Sequence, residues 1–174
     1  RDFSLVELMV VIFMIGILIA VAVSKFVALS EKVHKLQVEA TAENIKASVS
    51  LIRSKAIVSD VNGMHNTHPK FEYSYDGKTG EVVMHPDMKG RPINTIGFVE
   101  SDSRSYKLWD MLVREPPIQE GPGKTGWYAA DANDTRRKYV YAWDYYIEGE
   151  ILARLIYDAG KDVRHGAVKI VWNR

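Results

Sequence analysis

The sequence predicts an α+β fold: a long N-terminal α-helix, hydrophobic in its first half and amphipathic in its second, packed on an antiparallel β-sheet head. Three observations predict it. Leu8 through Val23 carries no polar side chain. Apolar residues then recur at spacings of three and four as far as Ala56, and no Pro or Gly interrupts Ile17 through Asp60. The C-terminal third alternates in the manner of strands, with short connections between the runs.

The apolar segment comes first. If Ser4 and Glu7 are tolerated it reaches back to Phe3, and Phe3 to Val23 is 21 residues. At ~1.5 Å per residue that helix measures roughly 31 Å, about the hydrocarbon thickness of a bilayer. Three readings compete. A cleaved secretory signal has a basic start, a shorter apolar core and a small-residue cut site. Here Arg1 and Asp2 precede a long run, and Lys25 and Phe26 follow it without a clear A-x-A cleavage site. A plain membrane anchor leaves Glu7 unexplained, because an acid within an apolar span costs up to ~2.5–3.5 kcal/mol at its centre and less near an end. The third reading gives Glu7 a partner on another subunit.

The helix continues past the apolar run. After Ser24-Lys25-Phe26, apolar residues fall at Leu29, Val33, Leu36 and Ala40, and a second register follows at Val38, Ala42, Ile45, Val49, Ile52 and Ala56. We read these spacings as one helix face and predict a single helix from about Phe3 to Val58, some ~84 Å long at ~1.5 Å per residue. Its first half needs lipid or other helices around it, and its second half needs a sheet on one side. The chain divides accordingly into a membrane-length hydrophobic helix, 1–28, and a globular head, 29–174, that includes the second half of the helix.

Asn62-Gly63 ends the helix. Short strands are expected at Phe71–Tyr75 and Glu81–Met84, joined by an Asp76-Gly77 hairpin turn. Ser105 to Val113 carries Leu108, Trp109, Leu112 and Val113 at helical spacing, and Pro116-Pro117 stops it. Gly121 to Gly126 is a loop. Lys138 to Tyr145 alternates, which puts Tyr139, Tyr141, Trp143 and Tyr145 on one face. Ile151–Tyr157 and Ala167–Trp172 complete a sheet of about four strands.

Composition sets outer bounds. The 174 residues are 47% hydrophobic and 26% charged, enough for one domain with a real core. The net charge of +1 offers no global attraction for nucleic acid or for an anionic membrane surface. The absence of cysteine excludes a disulfide framework, cysteine nucleophiles and thiolate metal sites.

The run Phe3-Ser4-Leu5-Val6-Glu7-Leu8-Met9-Val10-Val11-Ile12 resembles the N-terminal signature of type IV pilins and type II secretion pseudopilins. The signature begins with Phe, has Glu four residues later, and continues as an apolar helix with a Gly where this chain has Gly16. Ser24-Lys25-Phe26-Val27-Ala28-Leu29 is similar to the Pro-Lys-Phe-x-x-Leu stretch of mannose-sensitive haemagglutinin pilins. Leu108-Trp109-Asp110-Met111-Leu112, followed by Pro116, is similar to a helix of that group's head. Together the resemblance touches about a third of the chain. It implies cleavage by a prepilin peptidase, methylation of the new N-terminus, and polymerisation of identical subunits through the helix. The product would be an extracellular filament serving adhesion, motility or DNA uptake. Before assembly the chain would cross the inner membrane once, and a secretion ATPase and platform protein would drive assembly. A minor pilin or a pseudopilin is the nearest alternative, and a membrane-tethered enzyme a remote one. Three features depart from the pattern. Ser24 stands where the family has Pro, the head disulfide is absent, and Asp2 stands where Gly usually precedes the Phe. Either the cut falls before Arg1 or the first two residues belong to the leader, so Arg1 or Phe3 is the residue modified.

The resemblance makes Glu7 the leading assembly residue, its carboxylate pairing with the terminal amine of a neighbour, with Phe3 and Gly16 beside it. The bland reading of Glu7 is an acid at the membrane end reaching the headgroups. Gly16 is either a weak point where the helix unwinds, since Gly costs a helix ~1 kcal/mol relative to Ala, or a site of close helix packing. His65, His68 and Asp60 suit a metal less well than solvent. Asp131, Asn133 and Asp134 resemble part of a calcium loop but lack the terminal acid of an EF-hand. The aromatic row from Tyr139 to Tyr145 reads as sheet packing, or as a stacking platform for DNA beside Arg136, Arg137 and Lys138. No phosphate loop, nucleophile motif or paired-histidine helix is present, so no enzyme and no cofactor is expected.

Overall fold

The computed structural model describes residues 4–59, 70–85, 91–98, 103–113, 118, 124–130, 139–160 and 167–173. Helix α1 runs Leu5–Val58 and is unbroken through Gly16 and Ser24. Ser4 caps it: its hydroxyl accepts from Val6 N at 3.3 Å, and its carbonyl accepts from Leu8 N. Two compact units divide the chain, Arg1–Gln37 and Val38–Arg174.

In the first unit α1 buries nothing. Every described apolar side chain from Leu5 to Leu36 is exposed, as expected for a segment apolar all round. In the second unit α1 is two-faced. Val38, Ala42, Ile45, Val49, Ile52 and Ala56 join the core of the head. The two registers read from the sequence as one face are therefore distinct. Only the second is buried, while Leu29, Val33, Leu36 and Ala40 stay exposed.

The head has two antiparallel sheets where about four strands in one sheet were expected. Strands β1 (Lys70–Tyr75), β2 (Lys78–Met84) and β3 (Pro92–Ile96) form the first, in that order. The Asp76-Gly77 turn closes the predicted β1–β2 hairpin, with both residues at positive φ (48° and 72°) as a type I′ turn requires. Helix α2 (Arg104–Leu112) follows, its first turn capped by the Ser103 hydroxyl accepting from Tyr106 N. Strands β4 (Gly126–Ala130), β5 (Val140–Ile147), β6 (Glu150–Asp158) and β7 (Ala167–Trp172) make the second sheet, again in sequence order. The missed strands, β3 and β4, are five residues each. Neither carries a long alternating run.

Gly80 shows how closely β2 and β3 approach. A Cβ there would lie 2.5 Å from the Ile96 carbonyl oxygen and 2.9 Å from the Phe98 ring. Gly80→Ala is expected to destabilise the head by about 1–3 kcal/mol through overpacking against backbone. Urea unfolding that matches the wild-type chain would show that β3 yields at no cost.

Two tyrosines join the sheets. The hydroxyl of Tyr141 donates to the Ile93 carbonyl, and that of Tyr157 donates to the Pro92 carbonyl at 3.1 Å. The two rings stack at 5.9 Å as register partners on β5 and β6. Burial pushes the Tyr141 phenol well above the ordinary tyrosine range. An unfolded tyrosine loses its proton near pH ~10, whereas folded Tyr141 keeps it. Over that window the unfolded chain binds fewer protons, so stability falls as pH rises. Tyr141→Phe should cost about 0.5–1.5 kcal/mol at neutral pH, the worth of one hydrogen bond, and should flatten the alkaline decline. An equally steep decline in the variant would assign the effect to another group.

Polar ties complete the second unit. Ser48 Oγ on α1 donates to the Leu112 carbonyl at 2.7 Å, and Trp143 Nε1 donates to the Ser105 carbonyl at 2.9 Å. Lys55 lies 4.5 Å over the Tyr73 ring. On the second sheet, buried Asp144 holds the Arg154 guanidinium through two contacts of 2.6 and 2.8 Å.

Candidate functional site

The candidate site is the start of α1. Glu7 lies in its first turn, where the partial positive charge of the helix N-terminus favours a carboxylate. Its side chain is exposed, and among the described residues no ion pair involves it. Around it Leu5, Val6, Leu8, Met9 and Val10 are all exposed, at 48–83%. The arrangement is an acid on an uncovered apolar cylinder, which suits a cationic partner arriving together with apolar surface. Arg1 and Phe3, with Asp2, lie outside the described residues.

One feature of this end escaped the sequence reading. Ser4 and Glu7 stand three residues apart, the Ser-x-x-Glu spacing of a capping box. Ser4 does cap the helix, so Glu7 has a local role available beside any role between subunits. The signal was present in the sequence.

Gly16 sits on the same helix, and a Cβ added there would meet nothing within 4 Å. Nothing within the described residues uses its missing side chain. Ser24, in the place of the family's Pro, keeps the helix intact and turns its hydroxyl back to the Ala20 carbonyl at 3.1 Å. The window from the apolar run is long and apolar enough to cross a membrane and is wholly unburied within the chain.

The other candidates fare differently. His65, His68 and Asp60, the calcium-loop candidates Asp131, Asn133 and Asp134, and the basic residues Arg136, Arg137 and Lys138 all lie outside the described residues. Among the described residues no group of three or more His, Asp and Glu side chains could hold a metal ion. The aromatic row loses its first member: Tyr139 precedes β5 at φ 70°, its ring edge-on to His85 at 4.7 Å. Tyr141, Trp143 and Tyr145 are buried in the core, so no described part of that row presents a face for stacking on a base.

A long N-terminal helix, apolar then amphipathic, packed with antiparallel sheets in its second half, is a type IV pilin-like α+β architecture. The chain is similar to the type IV narrow pilus major component PilA5 of Thermus thermophilus, with 37% identity over 59 residues, 33% of this chain. That match supports the type IV pilin family. The chain spans about half the length of that relative, 51%. No family model matches the chain, and no solved structure does.

Proposed function

We propose that the chain is a structural subunit of a type IV pilus, polymerising through its N-terminal helix into an extracellular filament. The observation that carries this reading is the uncovered apolar length of α1 with Glu7 at its start. Such a surface cannot remain in water. A bilayer can cover it in a single subunit, and neighbouring helices can cover it in a polymer. Residues 1–28 then form the membrane or filament-core segment, with the head outside the cytoplasm.

In the polymer Glu7 pairs with the terminal amine of a neighbour, and Phe3 and Gly16 lie in the same packed helix bundle. A prepilin peptidase and an assembly machine act on the chain before that point. The similarity to a pilus component favours a structural role over an enzymatic one. Adhesion, motility and DNA uptake are all open to such a filament.

The test is to shear the producing cells and image the released material. Filaments built mainly of this chain are expected, with mass spectrometry reading their first residue as the one that the peptidase exposes. A chain found only in the membrane fraction, with no filaments, would sink the reading. A chain present as a trace in filaments of another protein would make it a minor subunit.

A further inference from the structure

We propose that Lys25 and Lys32, on one line of α1 just beyond its apolar run, bind the phosphate headgroup of an anionic phospholipid while the subunit is held in a membrane; the proposal rests on the membrane-held stage of the pilus-subunit reading. Both side chains lie in the first unit, and both are exposed. An α-helix turns about 100° and rises ~1.5 Å per residue. Seven residues therefore bring Lys32 to within about 20° of Lys25 and ~10 Å further along the axis. Leu29 stands between them in sequence, 59% exposed.

Their depth decides what they meet. The apolar run ends at Val23, so the Cα of Lys25 follows ~3 Å beyond it and that of Lys32 ~14 Å beyond. The headgroup layer on each side of a bilayer is about 5–8 Å thick. A lysine side chain reaches about 6 Å and snorkels along a helix toward opposite charge. Lys25 can reach up and Lys32 down, so both ammonium groups converge on one layer. Phe26, 72% exposed and next to Lys25, offers apolar contact to the tops of the acyl chains.

The charge of these two lysines is uncommitted. Between Ser24 and Gln37 there are three lysines and one acid, Glu31. Glu31 is held by Lys35 at 2.7 Å. Neither Lys25 nor Lys32 makes an ion pair among the described residues. The chain as a whole is nearly neutral, so the attraction is local. Lysine binds phosphate as a point charge, and the attraction strengthens beside low-dielectric hydrocarbon. A zwitterionic headgroup carries its own ammonium, which competes for the same phosphate, so an anionic lipid is the occupant favoured.

The test uses the full-length chain in detergent micelles doped with equal amounts of phosphatidylglycerol and phosphatidylcholine, with native mass spectrometry counting the lipids that stay bound. The unsubstituted chain is expected to retain phosphatidylglycerol in preference. One basic residue near an anionic surface is worth a factor of about five, so Lys25→Gln and Lys32→Gln should each lower phosphatidylglycerol retention about fivefold, and together about twenty-five-fold. Lys35→Gln is the control and should change it little, because Lys35 is occupied by Glu31. Lys25→Arg combined with Lys32→Arg keeps the charge and should keep the lipid, which separates a lost charge from a lost fold. Equal retention of the two lipids, unchanged retention in the double Gln variant, or the same loss from Lys35→Gln or from the double Arg variant would overturn the proposal. So would displacement of the lipid by millimolar inorganic phosphate, which would make this a site for free anions. A chain that does not insert into phosphatidylcholine vesicles fails the membrane-held reading, and the site with it. Insertion without lipid preference removes the site alone.

Discussion

Trp109→Ala is expected to lower the stability of the head by about 3–5 kcal/mol, the usual cost of emptying a buried aromatic site. Domains are held together by only ~5–15 kcal/mol, so this one change removes a large share. Trp109 is 2% exposed on α2, between the rings of Trp127 at 5.0 Å and Trp143 at 5.5 Å. It thus joins α2 to β4 and β5, and the cavity left by Ala cannot collapse without moving both strands. Urea unfolding of the full chain in micelles, followed by tryptophan fluorescence, measures the effect. Membrane insertion should be spared, because the apolar run lies in the other unit. An unchanged midpoint would show that the three-indole cluster can close over the gap.

The second large effect is on assembly. Glu7→Ala is expected to leave the chain inserted in the membrane but to block or severely slow filament growth. Insertion survives because Ala is more apolar than Glu. Assembly fails because the terminal amine of the incoming subunit enters apolar surroundings without its counter-charge. Breaking one side of a buried pair typically costs ~3–5 kcal/mol, and the penalty recurs at every added subunit. The capping-box role of Glu7 predicts something smaller, a loss of about 1 kcal/mol in the first helical turn. Glu7→Gln separates the two, since Gln can still cap but carries no charge. The ratio of sheared to membrane-held protein is the readout. Glu7→Ala at wild-type filament yield would end the salt-bridge mechanism. Full yield from Glu7→Gln alone would leave only the cap.

The legible parts of this molecule are those with a long period. α1 could be read to within two residues of its start because an apolar run of membrane length passes, with no Pro, into apolar residues spaced three and four apart. The strand Ala167–Trp172 and the Asp76-Gly77 turn were read directly for the same kind of reason: a run of β-formers, and a pair of residues that tolerates positive φ. The division of the head into two sheets was not legible, and neither were the short strands β3 and β4. β3 begins with Pro92, a residue that argues against a strand, and β4 is too short and too rich in Gly and Ala to alternate clearly. The two faces of α1 were merged because spacings of three and four fit both registers. Only a wheel that follows the phase from Leu29 to Val38 separates them. At the candidate site, Glu7 was visible from its place in an apolar run. The cap at Ser4 carries a weaker signal, because a Ser three residues before a Glu is a common spacing that becomes a cap only where a helix starts.

The tyrosine ties between the sheets bear on how many copies can live side by side. β3 lies at the edge of its sheet, and an edge strand invites pairing with the next molecule. Its first residue, Pro92, has no N–H to offer. The carbonyls of Pro92 and Ile93 are already taken by Tyr157 and Tyr141. A neighbour sliding along this edge therefore meets no N–H at Pro92, and carbonyls at Pro92 and Ile93 that already accept. For a protein whose proposed life is spent at filament density, that blunted margin keeps lateral contact from becoming a shared sheet.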